Sequence, residues 1–502
     1  MHQGEAGRKA WSDGDAMAHP LPLSVTRVDR PRRVHVPRIG EGPSLLYRLT
    51  DIPEMAWLAY CVLLIGWSVL EVMQDFHLVS TKRFTYFLIA ACGGVVWQLI
   101  TDPVRRLAGL IWLLLLLYFA SCYLTFDLAG LTPHPYISAV FIESDTLDAM
   151  RAYALSLLVF FPLLRTRWCL AYLNALEVAL ARIAALPRWR IHLCCAVLFV
   201  FAVIDWANLG RVGLGAALEA ERRTYAKEFL LSANHNAQLI AIAFTILVAV
   251  NAVVTPSWRV RMLAIAAACL TWAPSFMIGA RKEVFIISVA VLTVWLARRN
   301  GGRALLILFL LMGGLGLIPL IFGAELEHTL HEFALPFYNV LTVEQYGDYV
   351  RPSTSFIELA QFLLPSEMRF STVRDFGTEI ETLMKQFGQN VGYGGHPYAE
   401  SLAYSTQSPA LMLLLLNGSL IAVCAVLIRI NPTYTLIAVP FLALWGRSLF
   451  WISLFFIIYG GLIMAILTSG LNRRGNSKSS QAPSQADGVT LRRTDPRPRI
   501  TQ

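Results

Sequence analysis

Charge is scarce in this sequence and missing from long stretches of it. Of 502 residues only 15% are charged while 56% are hydrophobic, against roughly 45 to 50% apolar in soluble domains, so an ordinary soluble fold is excluded. Uncharged apolar runs repeatedly approach the roughly 20 residues that a helix needs to cross a hydrocarbon core of about 30 Å. These runs also lack the apolar–polar alternation of barrel strands, and only helices or closed barrels satisfy their backbone in lipid. The expected fold class is therefore all-α, a polytopic helical membrane protein of about 12 transmembrane helices with a long helical outer loop.

Other absences narrow the function. Segment 1–53 has no apolar stretch of the kind a secretory leader places near its start. It is polar and Arg-rich, with Pro20, Pro22, Pro31, Pro37 and Pro43 scattered through it, and reads as a disordered cytoplasmic tail. Segment 471–502, rich in Ser, Gln and Arg, reads the same way. The eight cysteines form no CxxC pair and no disulfide framework, and they read as small packing residues of apolar segments. No Walker A loop, HExxH, GxSxG or dinucleotide fingerprint is present. No carboxylate cluster on the cytoplasmic side suggests an activated-sugar nucleotide site. Any chemistry is therefore expected to face outward and to use a substrate already carried by lipid.

What is present is a series of apolar segments within 54–470, the expected transmembrane domain. Spans are expected at 55–73, 84–100, 107–126, 150–164, 191–206, 237–254, 262–278, 284–297, 304–323, 409–428, 434–445 and 448–468. Cytoplasmic loops are enriched in Lys and Arg, and one orientation collects the pairs Arg105 and Arg106, Arg165 and Arg167, Arg188 and Arg190, Arg259 and Arg261, and Arg298 and Arg299 on the same side as both termini. Trp168, Trp189, Trp206 and Trp258 fall near span ends, where an amphipathic indole prefers the interface. The net charge of +9 sits in these flanking segments rather than on one folded face. It points to anionic membrane lipids and not to nucleic acid. Leu170 to Leu186, with Arg182 and Glu177 among Leu and Ala, reads as a helix along the inner surface.

Two outer loops stand out, at 207–236 and 324–408, and connections of such length are usually functional or disordered. Apolar stretches such as Ser355 to Leu364 and aromatics including Phe337, Tyr338, Phe370 and Tyr393 favour a folded cap for the second. Basic residues on this side run against the positive-inside tendency. They are Arg211, Arg222, Arg223 and Lys227 in the first loop, Arg281 and Lys282 in a short link, and Arg351, Arg369 and Arg374 in the cap. Guanidinium groups suit bidentate binding of phosphate or carboxylate. Pairing with Glu219, Glu221, Glu228 and Glu379 is the alternative account.

Arg281 is the sharpest of these, because Gly279-Ala280-Arg281-Lys282-Glu283 joins two apolar segments at the membrane boundary. Pro274 is expected to break the preceding helix, and a broken helix beside charge at membrane depth often lines a binding site. Snorkelling to outer headgroups is the alternative. A second concentrated feature is Tyr393-Gly394-Gly395-His396-Pro397-Tyr398-Ala399-Glu400-Ser401. The glycines permit close backbone approach, and Pro397 opens a helix that places Glu400 one turn from His396. An imidazole there either accepts a proton from a sugar hydroxyl or orients it; a structural histidine is the alternative.

This arrangement resembles the Wzy-type polysaccharide polymerases, which include O-antigen polymerases and are related in architecture to O-antigen ligases. The matching features are about a dozen spans, cytoplasmic ends and two arginine-bearing outer loops. The Gly-Ala-Arg-Lys-Glu link resembles the family's short basic junction, and the Gly-Gly-His-Pro segment with Glu400 is similar to the His-containing stretch before a late helix in the ligase branch. Neither Arg222 nor Arg351 is followed eleven positions later by the glycine found in some polymerases.

The resemblance implies a bacterial inner-membrane glycosyltransferase that moves a growing glycan from undecaprenyl diphosphate to another lipid-linked repeat. His396, Arg281 and Glu400 would be catalytic. Arg211, Arg222, Arg223, Lys282, Arg351, Arg374 and Tyr393 would bind diphosphate or glycan. The scheme calls for no metal and no cofactor, and it implies a flippase and a chain-length regulator as partners. A secondary transporter and a ligase or acyltransferase acting on surface glycans are the competing classes.

Overall fold

The structure, a computed structural model, describes residues 100, 104–123, 166–213, 230, 235–255, 257–277, 282–298, 339–340, 342–343, 345–347, 358–364, 368–369, 376–386, 395–447 and 449–469. Among them every regular element is a helix. In chain order these are α1 (Arg106–Tyr123), α2 (Thr166–Ala184), α3 (Arg188–Val212), α4 (His235–Val254), α5 (Trp258–Met277) and α6 (Lys282–Arg298). After a 3-10 turn at Glu358–Leu363 come α7 (Phe376–Gln386), α8 (Pro397–Tyr404), α9 (Pro409–Ile430), α10 (Thr435–Ala443), α11 (Phe450–Phe455) and α12 (Gly461–Thr468). A π-helical turn, Phe456–Gly460, joins the last two into one continuous rod.

Among the described residues, five helices are long and apolar enough to cross a membrane: Arg188–Arg211, Asn236–Val254, Trp258–Met277, Pro409–Ile430 and Phe450–Thr468. Arg106–Leu115 and Pro432–Ala443 are shorter apolar helices. The protein is thus a helical membrane protein. The spans expected at 55–73, 84–100, 150–164 and 304–323 lie outside the described residues, apart from residue 100, as do the tails 1–53 and 471–502.

α4 is central, since 61% of its most apolar stretch is buried against 33% for α5 and α9. It packs on α2, α3, α5, α6 and α12 through Ala241, Ile242, Ile246, Leu247, Val248 and Val250. The peripheral helices present large apolar side chains outward instead, among them Leu193, Val200 and Val203 of α3, Met262 and Ile265 of α5, and Leu411, Leu415 and Val426 of α9. Such faces would be untenable against water and are ordinary against lipid tails, which are as apolar as leucine.

α2 lies where the interfacial helix was expected. Cys169, Tyr172, Leu176, Ala179, Leu180 and Ile183 are buried on one stripe, while Glu177 is exposed on the other. Its contacts tie it to the bundle rather than leave it resting on a surface: it packs on α4 and on the 3-10 turn Pro432–Tyr434. Arg182 Nη1 donates to Asn431 Oδ1 at 2.8 Å, and Asn251 Nδ2 of α4 donates to the Ile183 carbonyl at 3.1 Å. Arg190 Nη1 donates to the carbonyls of Leu467 and Ser469, both at 2.7 Å. A cation at a helix C-terminus satisfies carbonyls that have no intrahelical partner and complements the helix dipole.

Two boundaries differ from expectation. Hydropathy falls at Asp205 and Trp206, but the backbone of α3 continues to Val212 and ends at Gly213, whose φ of 88° lies in the left-handed region that favours glycine. The first turns of the expected 207–236 loop are therefore helix, and Asp205 lies within an apolar span, fully buried at 0% exposure. Pro274, expected to break its helix, instead sits buried inside α5, which runs on to Met277. Proline frees the carbonyl four residues before it. Here that is Leu270, and its oxygen accepts from the Trp206 indole N–H at 3.1 Å, so a neighbouring helix supplies the lost donor.

Candidate functional site

Gly395 and His396 lead into α8, and the sequence dictates how the helix begins. Pro397 occupies the first turn, where a missing N–H costs nothing. His396 is the N-cap: its extended backbone (φ −140°, ψ 116°) turns the side chain back, and its Nδ1 accepts from the Ala399 N–H at 3.3 Å. The Glu400 N–H donates to the His396 carbonyl at 2.9 Å, which places Glu400 one turn on. Both side chains are buried, each at 1% exposure, rather than presented on an outer surface.

Burial dictates their chemistry. Removal from water disfavours the imidazolium and pushes the His396 pKa down from 6.5 to about 3, so the ring is neutral at physiological pH. With Nδ1 used as the cap acceptor, the proton of the neutral ring resides on Nε2. His396 in this geometry is a hydrogen-bond donor and not a base.

Glu400 reaches across to the last helix, where its Oε2 accepts from the backbone N–H of Phe450 at 3.0 Å. That N–H opens α11, where a helix has donors without intrahelical partners and favours negative charge. Phe450 stacks edge-on against Trp445, with ring centroids 6.1 Å apart, and against Trp451 at 5.1 Å. Trp445 Nε1 in turn donates to Asn417 Oδ1 of α9, leaving Asn417 Nδ2 buried without a partner among the described residues. An aromatic and polar node thus joins α8, α9 and α11 around Glu400. Tyr459 adds a strut from the same rod, its hydroxyl donating to the Leu363 carbonyl at 2.6 Å.

The basic residues are distributed unevenly. Arg211, expected in a loop, is exposed on the last turn of α3. Lys282 is half-buried at the start of α6. Arg369 Nε donates to the Leu364 carbonyl at 3.3 Å and its guanidinium lies 4.8 Å from the Phe362 ring centroid, a cation–π contact that gives it a structural occupation. Arg281, Arg222, Arg223, Arg351, Arg374 and Tyr393 lie outside the described residues.

Three polar features stood out less in the sequence. Asp205 is one. The Asn417–Trp445 pair is another. The third is Glu283, at 8% exposure, whose Oε1 accepts from Gln238 Nε2 at the start of α4 while its Oε2 is buried without a hydrogen-bond partner among the described residues. The sequence signal for Glu283 was a carboxylate placed directly after two cations at a membrane boundary. Among the described residues, no three histidine, cysteine, aspartate or glutamate side chains gather so as to hold a metal ion. Comparison with protein-family models, with curated proteins and with solved structures finds no match to this chain.

Proposed function

We propose that this chain polymerises undecaprenyl-diphosphate-linked oligosaccharide repeats on the outer side of a bacterial inner membrane, crossing it about 12 times with both ends in the cytoplasm. The observation that carries the reading is the His396–Glu400 turn, a neutral histidine and a buried carboxylate fixed between the entry of one apolar span and the start of another. The chemistry needs little nucleophilic apparatus, because diphosphate is a good leaving group. It needs positive charge on that diphosphate and an oriented acceptor hydroxyl.

In this scheme Arg281, with one or more of Arg211, Arg222, Arg223, Lys282, Arg351 and Arg374, neutralises the diphosphate. Tyr393 and the aromatic node receive the glycan. His396 orients the acceptor sugar, and Glu400 holds the turn that presents it. A flippase delivers the lipid-linked repeat, and a chain-length regulator is the expected companion.

Asp205 favours a second reading. An ionisable residue buried inside a span marks ion or substrate pathways by default, so a secondary transporter of a small solute or glycan is the rival. Deleting the gene in a glycan-producing host separates the two. Accumulation of single lipid-linked repeats with loss of long surface chains supports polymerisation. Unchanged chain length removes it, and normal-length polymer left on its lipid carrier indicates an O-antigen-ligase-like transferase instead.

A further inference from the structure

We infer that Glu283 is the base that takes the proton from the acceptor hydroxyl, with Gln238 as its positioning residue; this rests on the polymerase reading above. Glycosyl transfer to a hydroxyl must dispose of a proton, and the geometry of α8 withdraws His396 from that task, since Nδ1 is occupied by the Ala399 N–H. Glu283 has what the task requires. Its carboxylate is almost wholly enclosed. One oxygen is fixed by the Gln238 amide, and the other is buried with no hydrogen-bond partner among the described residues.

A carboxylate oxygen left bare in a buried site is costly, and native structures rarely keep one without a reason. A glutamate serving only the dipole of α6 would turn to the N–H groups of its own first turn or to water. Here it is engaged from a different helix, in the manner of a side chain held for use. Gln238 and Glu283 both belong to the first turns of helices that pack together, α4 and α6. Their outer-side placement follows from the proposed orientation. Lys282, half-buried beside Glu283 in the chain, is one of the cations proposed for the diphosphate.

The step balances without a further reactant. The acceptor hydroxyl oxygen forms a bond to the anomeric carbon of the donor glycan. The bond from that carbon to the diphosphate oxygen breaks, and its electron pair leaves with undecaprenyl diphosphate. The hydroxyl proton passes to Glu283 Oε2 and from there to water after the product departs. Base catalysis of this kind contributes about 100-fold or more to a rate.

The test uses the full chain in proteoliposomes with the host's own lipid-linked repeat, following the ladder of products. Glu283→Gln preserves the shape and an oxygen facing Gln238 but cannot take a proton. The expected result is a fall in kcat of about 100-fold or more, with KM for the lipid-linked repeat within about twofold and full accumulation in the membrane. Wild-type kcat in Glu283→Gln overturns the assignment while leaving the polymerase reading standing. A matched loss in kcat and KM, or in the amount of folded protein, marks Glu283 as structural and overturns it too. A fall of about tenfold in kcat at unchanged KM in Gln238→Ala supports the orienting role. Absence of any ladder from the wild-type protein removes the polymerase reading and the inference together.

Discussion

The Trp206 indole N–H donates to the Leu270 carbonyl, the one acceptor that Pro274 leaves without its helical partner. Trp206 and Pro274 are therefore energetically coupled although they belong to different helices. Trp206→Phe is expected to lower stability in a bilayer mimic by about 0.6 to 1.7 kcal/mol, the range of interhelical hydrogen bonds in membranes. In a Pro274→Ala background the restored amide satisfies Leu270, and the hydrogen-bond part of that loss should vanish. A double-mutant cycle on reversible unfolding measures the coupling; purely additive effects would show that the bond contributes nothing.

His396 links stability to pH. Its pKa is lowered by burial from 6.5 to about 3, so below pH 6.5 the unfolded chain binds a proton that the folded one refuses. Stability is therefore independent of this group above pH 6.5. It falls as pH drops through 6.5 toward 3, by up to about 1.4 kcal/mol per pH unit. Asparagine is also a strong N-cap, so His396→Asn should keep the helix start and flatten this slope. Thermal unfolding at pH 7.5 and 5.0, compared between the two proteins, measures it.

Glu400 is expected to tolerate a change of charge better than a loss of shape. Glu400→Gln retains an oxygen for the Phe450 amide, whereas Glu400→Ala removes the acceptor of a buried donor, at a cost of about 1 to 3 kcal/mol. The unfolding midpoints of the two variants should rank in that order. Equal midpoints would mean that the bond to Phe450 does not secure α8.

Gly460 and Gly461 are neighbours with opposite tolerances. A Cβ at Gly461 would fall within the ring of Tyr434, while one at Gly460 meets Leu239 Cδ1 at 3.4 Å and Ile437 Cγ2 at 3.5 Å, ordinary packing distances. Gly461→Ala should destabilise by about 1 to 3 kcal/mol through overpacking, and Gly460→Ala should be near neutral. Size-exclusion profiles and melting of the two purified variants make the comparison.

The positions of the described spans were legible in the sequence because hydropathy reports burial in lipid directly. The expected segments at 237–254, 262–278 and 409–428 meet α4, α5 and α9 within a few residues. The end of α3 was not legible, because hydrogen bonding carried the helix through Asn208 and Gly210 after the apolar signal had stopped. The fate of Pro274 was not legible either, since its rescue depends on an indole from another helix. At the candidate site, the helix opening at Pro397 and the turn from His396 to Glu400 were legible, whereas the capping role of His396 was not. Their burial, and the engagement of Glu400 with Phe450, required a contact across 50 residues of chain that no local pattern encodes.

The activity proposed for this chain is the joining of lipid-linked repeats into long glycans. Its most direct test is reconstitution of the purified protein in proteoliposomes with undecaprenyl-diphosphate-linked repeats from the host, followed by sizing of the products. A polymerase yields a ladder of multiples of the repeat that Arg281→Ala abolishes in a variant still inserted in the membrane. Single repeats remaining unjoined in the presence of the wild-type protein, or a ladder unchanged by Arg281→Ala and by His396→Ala alike, would contradict it.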